Sequence, residues 1–132
     1  MAQAPIKTII ALDVGLRRIG VAKASMVAKL ASPYGAIQND SNVLTSLGGL
    51  IKTEHAITLV IGLPRGLNGQ ETAQTQQVRD FTDRLKAVFD IPIHFQDEAV
   101  TSKQAEAELR GRGVRYNKEA VDALAATYIL ND

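Results

Sequence analysis

The chain has 132 residues, 45% hydrophobic and 22% charged, with a net charge of +1. That size sets a prior of one domain spanning 1–132 with a sizeable core, excludes disorder by composition, and does not by itself announce a nucleic-acid binder. The absence of cysteine excludes disulfides and cysteine–zinc sites and fits a cytoplasmic protein, while residues 1–7 carry no signal-peptide pattern and no apolar run is long enough to span a bilayer.

In chain order, Thr8 to Leu12 reads as a buried, β-branched strand that ends on a carboxylate, Asp13. The short segment Val14-Gly15-Leu16-Arg17 predicts a hairpin connection to a second, antiparallel strand from Arg18 to Lys23. Pro33 to Gln38 predicts a third strand at the sheet edge. Asn39-Asp40-Ser41-Asn42 is a dense helix-start signal, and Val43, Leu44, Leu47, Leu50 and Ile51 then form one apolar helical face. The run Ile57 to Gly62 suits a strand covered on both faces. It ends in a loop punctuated by Pro64, Gly66 and Gly69.

A long helix from Glu71 to Phe89 follows, with Val78, Phe81, Leu85 and Val88 at helical spacing. Ile93 to Gln96 predicts a fifth strand running into Asp97-Glu98, and Thr101-Ser-Lys-Gln104 matches a capping box for a helix ended by Gly111 and Gly113. Asn117 can cap a final helix whose apolar face is Val121, Leu124, Ala125 and Tyr128. The order β-β-β-α-β-α-β-α-α predicts a mixed α/β sheet with helices on both faces. Right-handed crossovers give the strand order 3-2-1-4-5.

Three acidic positions stand apart from ordinary surface carboxylates: Asp13, the Asp97-Glu98 pair and Asp122. If strands one and five are parallel, the first two share the carboxyl edge of the sheet, where open α/β sheets bind ligands. Asp122 falls near the border of the last helix's buried face, close to the small residues Ala125 and Ala126. Carboxylates without histidine or cysteine suit Mg²⁺ or Mn²⁺ and, with two ions, phosphodiester cleavage. The alternative is structural: Asp13 caps its turn, Asp97 or Glu98 caps the next helix, and Asp122 pairs with a lysine. His55 and His94 read as structural, and no serine has a neighbouring base pattern. The 62–69 loop lacks a P-loop ending. It either cradles a phosphate through backbone N–H groups beside Arg65 or is an ordinary strand-to-helix turn. Basic residues gather at Arg17, Arg18 and Lys23 and again at Arg110, Arg112, Arg115 and Lys118.

Four ordered blocks resemble the RuvX/YqgF family of pre-16S rRNA nucleases and Holliday junction resolvase-like proteins. They are Leu12-Asp-Val-Gly-Leu-Arg-Arg-Ile-Gly-Val-Ala22; Val60-Ile-Gly-Leu-Pro64 with Asn68-Gly69 and Val78-Arg-Asp-Phe81; Asp97-Glu98 with Thr101 and Ala105; and Lys118-Glu-Ala-Val-Asp-Ala-Leu-Ala-Ala126. The resemblance implies an RNase H-like fold and a Mg²⁺- or Mn²⁺-dependent nuclease, with Asp13, Glu98 and Asp122 as catalytic metal ligands. Spacing alone leaves Asp97 and Glu98 as alternatives; the resemblance favours Glu98. Gly15, Arg17, Arg18, Arg65, Thr101, Arg112 and Arg115 are the expected substrate contacts. The expected partner is nucleic acid, RNA favoured and branched DNA the alternative, with a homodimer where junction resolution demands two active sites. This chain departs from the family pattern at Ala99, where an arginine is usual, at Met26 after Ser25, and at Asn68 in place of a common aspartate. Two other readings compete. One is a nucleic-acid-binding processing factor with little catalysis; the other, an actin- or sugar-kinase-like ATPase, is disfavoured by the chain's length and the lack of a second Asp-x-Gly turn.

Overall fold

Strand and helix boundaries follow the apolar pattern to within a few residues. The computed structural model describes residues 6–25, 31–66 and 68–98. These form β1 (Thr8–Val14), β2 (Arg18–Ser25), β3 (Ala31–Gln38), α1 (Val43–Glu54), β4 (Ala56–Pro64), α2 (Ala73–Val88) and β5 (Ile93–Glu98). The two helices predicted after Thr101 lie outside the described residues, as do Thr101, Arg112, Arg115 and Asp122.

The five strands form one sheet in the order β3-β2-β1-β4-β5, as expected. β1 and β2 are antiparallel, β2 and β3 are antiparallel, and β1, β4 and β5 run parallel. The carboxyl ends of β1, β4 and β5 therefore share one edge. Period-two alternation sends successive side chains to opposite faces, and here the faces differ sharply in size. Ile10, Leu12, Ile19, Val21, Leu59, Ile61 and Leu63 form one core with Val43, Leu47 and Leu50 of α1 and with Val78, Phe81 and Leu85 of α2. Both described helices thus cover the same face. The opposite face carries a separate cluster of small residues, Ala11 and Ala22, with Val60 against them.

The helix ends are fixed locally. Asp40 Oδ1 accepts the Asn42 backbone N–H at 2.9 Å, and the Asn42 side chain makes no cap bond of its own. The helix-start signal is therefore realised as an Asx turn ahead of α1. His55 ends α1 in the left-handed conformation at φ 54°. Thr72 and Thr75 form a reciprocal capping box at the start of α2. α2 begins later than the expected Glu71, and Val88, placed by spacing on the core face, is 55% exposed. Thr75 and Thr82 are the buried positions the apolar pattern did not pick out. Each hydroxyl has a backbone acceptor: Thr75 donates to the Pro64 carbonyl, and Thr82 to Val78 O at 2.8 Å. The Thr75 bond ties the first turn of α2 to the carboxyl end of β4.

Candidate active site

Asp13 lies inside β1 rather than just after it, because the strand continues to Val14. It pairs in register with Gly20 of β2. On the other side, the β1–β4 register ends at Leu12 opposite Ile61, which puts Gly62 at the next step. Asp13 is half-buried and shares its parity with Ala11, the small-residue face. Glycines thus flank Asp13 on both neighbouring strands.

The register also separates the two acids at the end of β5. Asp97 pairs with Leu63 and Glu98 with Pro64. Leu63 belongs to the helix-covered core, so Asp97 has the parity of that face. There its Oδ1 accepts a hydrogen bond from Arg65 Nε at 3.2 Å. Glu98 has the opposite parity, that of Gln96, whose register partner is Gly62. Asp13 is thus level with Gln96, and Glu98, two residues further along, shares its parity and its edge of the sheet, whereas Asp97 has the opposite parity.

The β1–β2 turn beside Asp13 is fixed by Gly15 and Asn39. The Gly15 N–H donates to Arg18 O at 2.9 Å. A Cβ at Gly15 would meet that same carbonyl oxygen at 2.7 Å, so the turn admits only glycine without shifting backbone. Asn39 donates its side-chain amide to Gly15 O and its backbone N–H to Arg17 O, each at 2.8 Å. Sequence reasoning missed this role: Asn39 reads as part of a helix start, and its partners lie 24 residues away. Arg17 is exposed at the turn tip, and Arg18 opens β2 with the parity of Gly20, hence of Asp13.

The 62–69 loop resolves in favour of the ordinary turn. Gly66 N–H donates to Gln70 O at 2.8 Å, Gly69 N–H to Gly66 O at 2.9 Å, and Asn68 N–H to Gln70 Oε1 at 2.9 Å. Three of the backbone donors that a phosphate cradle would use are thus already engaged. Arg65, expected to contact phosphate, bonds Asp97 and also approaches Glu71 Oε2 at 3.5 Å. Glu71 in turn accepts two hydrogen bonds from Arg79, at 2.7 and 3.0 Å. This bidentate pair holds the Glu71 carboxyl below its ordinary range and the Arg79 guanidinium above its own, the hydrogen bond being the main cause for each. Among the described residues no three His, Cys, Asp or Glu side chains form a metal-binding group. Asp122, the third expected ligand, lies outside them.

This 3-2-1-4-5 sheet, with its acidic residues on the carboxyl edge, is an RNase H-like fold. T. thermophilus RuvC in complex with a Holliday junction substrate matches it with a TM-score of 0.55, over 93% of this chain and 91% of that one, at 14% identity. The Fowlpox virus resolvase, solved with its substrate Holliday junction DNA, matches with a TM-score of 0.53 over 93% of each chain at 10% identity. At such identities the likeness is one of fold. Sequence narrows it. The chain belongs to the RuvX family, whose model, described as Holliday junction resolvase, matches residues 7–132. A relative from Sulfurihydrogenibium sp. (strain YO3AOP1), carrying the provisional name pre-16S rRNA nuclease, is 40% identical over 124 residues, 92% of this chain and 86% of the relative.

Proposed function

We propose that this protein is a divalent-metal-dependent nuclease that hydrolyses phosphodiester bonds of structured nucleic acid, its substrate being the 5′ end of pre-16S rRNA. The observation that supports it is the shared edge and parity of Asp13 and Glu98 in a chain matched by a resolvase family model and by a named rRNA nuclease. Asp13, Glu98 and Asp122 would hold Mg²⁺ or Mn²⁺. The donor set suits these ions, being all oxygen. β1 and β5 are two strand intervals apart, about 10 Å, with Glu98 two residues, about 7 Å, further along the strand direction than Asp13. When bound, the ions activate the attacking water and stabilise the leaving oxygen.

The chain's own residues prepare that chemistry. The Gly15 turn, locked by Asn39, fixes Arg17 and Arg18 next to Asp13. These two arginines, with Arg112 and Arg115, offer charge-assisted bonds to phosphate oxygens, and Gly15 and Thr101 complete the substrate contacts. Arg65 instead orients Asp97 and the start of α2. The molecule acts as one domain in the cytoplasm; among the described residues no helix is long and apolar enough to cross a membrane. A homodimer would supply two such sites to a branched substrate.

The test is cleavage of a 5′-extended 16S rRNA precursor and of a four-way DNA junction, with Mg²⁺ and with Mn²⁺. Asp13→Asn should lower cleavage by about a thousandfold or more, the scale on which removal of a principal catalytic group acts, while substrate binding persists. Full cleavage by a folded Asp13→Asn preparation would sink the assignment, and preferential cutting of the junction would move the substrate to branched DNA.

A further inference from the structure

A second feature lies where β5 meets α2, on the side of the sheet opposite to that shared by Asp13 and Glu98. Phe95 is 36% exposed, although its neighbour two residues back, Ile93, packs against the core. β5 is the last strand of the sheet, so the ring stands at an edge. Two cations from α2 lie over it. The Arg79 guanidinium carbon is 5.4 Å from the ring centroid and the Lys86 Nζ is 5.9 Å from it. Their surroundings differ. Arg79 is held by Glu71 in the bidentate pair, with Asp83 and Asp97 also acting on it. Lys86 has no carboxylate within salt-bridge range among the described residues, and its contact is the ring itself.

An exposed aromatic ring flanked by a positioned guanidinium and an ammonium is the combination used to hold unpaired nucleotides. The ring stacks a base of any identity, and the cations meet the phosphates on either side. Duplex offers no free base face to such a ring. Phe95 lies three residues before Glu98, about 10 Å along the strand, and has the parity of Asp97 on the helix-covered side, so a strand leaving the carboxyl edge would reach the ring around the outer edge of β5. We infer that Phe95, with Lys86 and Arg79, is a stacking platform for an unpaired nucleotide of the substrate, placed on the α2 side of the β5 edge. The inference rests on the nuclease reading and deepens it. It predicts that the enzyme prefers a cut site flanked by single strand.

The chain contains no tryptophan, which makes the test direct. In F95W the introduced indole is the only one, and its fluorescence should be quenched on adding an RNA with a single-stranded tail but not on adding the corresponding blunt duplex. In anisotropy titrations F95A should weaken binding of the tailed RNA by about 5- to 150-fold, the range given by alanine substitution at base-stacking rings. F95W should bind it as tightly as the wild type. Lys86→Gln should lower the salt dependence by about one counterion. Thermal melts of each variant separate lost binding from lost fold. If F95A binds and cleaves the tailed RNA like the wild type, or the F95W indole is unmoved by a tail that the protein demonstrably binds, the platform is refuted while the nuclease reading stands. If the wild-type protein neither binds nor cleaves any of these substrates, the nuclease reading fails and takes the platform with it.

Discussion

The two faces of the sheet are made from the same strands by alternate residues, and they solve opposite problems. On the face that α1 and α2 cover, Ile10, Leu12, Leu59 and Ile61 are fully buried among large apolar side chains. On the other, the positions in between include Ala11, Ala22, Gly20 and Gly62, with Asp13 among them. Carboxylates occur at the end of both faces. Asp97, on the helix side, is answered by Arg65, an ordinary ion pair. Asp13 and Glu98 have the parity of the small-residue face. Size alternation builds the fold; charge alternation at the strand ends marks the site.

The comparison breaks most visibly at the adjacent acids of β5. If parity assigns the roles, Glu98→Gln should reduce cleavage by about a hundredfold or more and weaken Mn²⁺ binding measured by calorimetry. Second-shell partners alone cost ten- to a hundredfold in such sites, so a direct ligand should cost at least the upper figure. Asp97→Asn should leave metal affinity within about twofold and loosen only the Arg65 contact, since an exposed ion pair contributes little. Equal losses from both substitutions would show that the parity argument does not decide the ligand.

How much of this was legible beforehand follows from the range of the forces involved. The strand order and the buried faces were readable because period-two alternation and β-branched runs are local signals. The approach of Asp13 and Glu98 was readable as a conditional, given parallel strands. Spacing left Asp97 and Glu98 as alternatives and the resemblance favoured Glu98; the register adds that Glu98, not Asp97, has the parity of Asp13. Asn39 was misread because its side chain locks a turn far away in sequence, and a helix-start signal offers a nearer explanation. Arg65 was expected on phosphate because it follows a glycine-bearing strand end. Its engagement with Asp97 and Glu71 depends on where α2 begins, and the Thr72–Thr75 capping box fixes that start. Thr75 escaped notice for a related reason, since a buried hydroxyl is tolerable only with a tertiary acceptor, here Pro64 O.

A second way to sharpen the contrast is to exchange the size rules of the two faces at neighbouring residues of β1. Leu12→Ala removes a fully buried side chain from the helix-covered core and should destabilise by about 2–5 kcal/mol. Ala11→Leu inserts bulk at a position that is also fully buried and should cost about 1–3 kcal/mol through overpacking. Urea melts monitored by circular dichroism measure both. If Ala11→Leu were neutral, the small-residue face would not be tightly packed.

The smallest expected effect concerns the arginine–carboxylate network that balances the helix side. The Arg79 hydrogen bonds, and then the charges of Arg79 and Arg65, hold the Glu71 carboxyl below its ordinary value of 4.5 against a partial opposing effect of desolvation. A carboxyl depressed on folding binds its proton less readily in the native state. Its stabilising contribution is therefore present above 4.5 and is lost as the pH falls through the lower, folded-state value. Glu71→Gln should flatten the acid limb of a stability-versus-pH curve below 4.5 and change stability only slightly at neutral pH, because the pair is exposed and solvent-screened. It should also release Arg79 without moving Asp13, so cleavage with saturating metal should stay near the wild-type rate. A collapse of cleavage in Glu71→Gln would mean that the network on the helix side positions the reacting edge after all, and that the two faces are coupled through Arg65 and the end of β4.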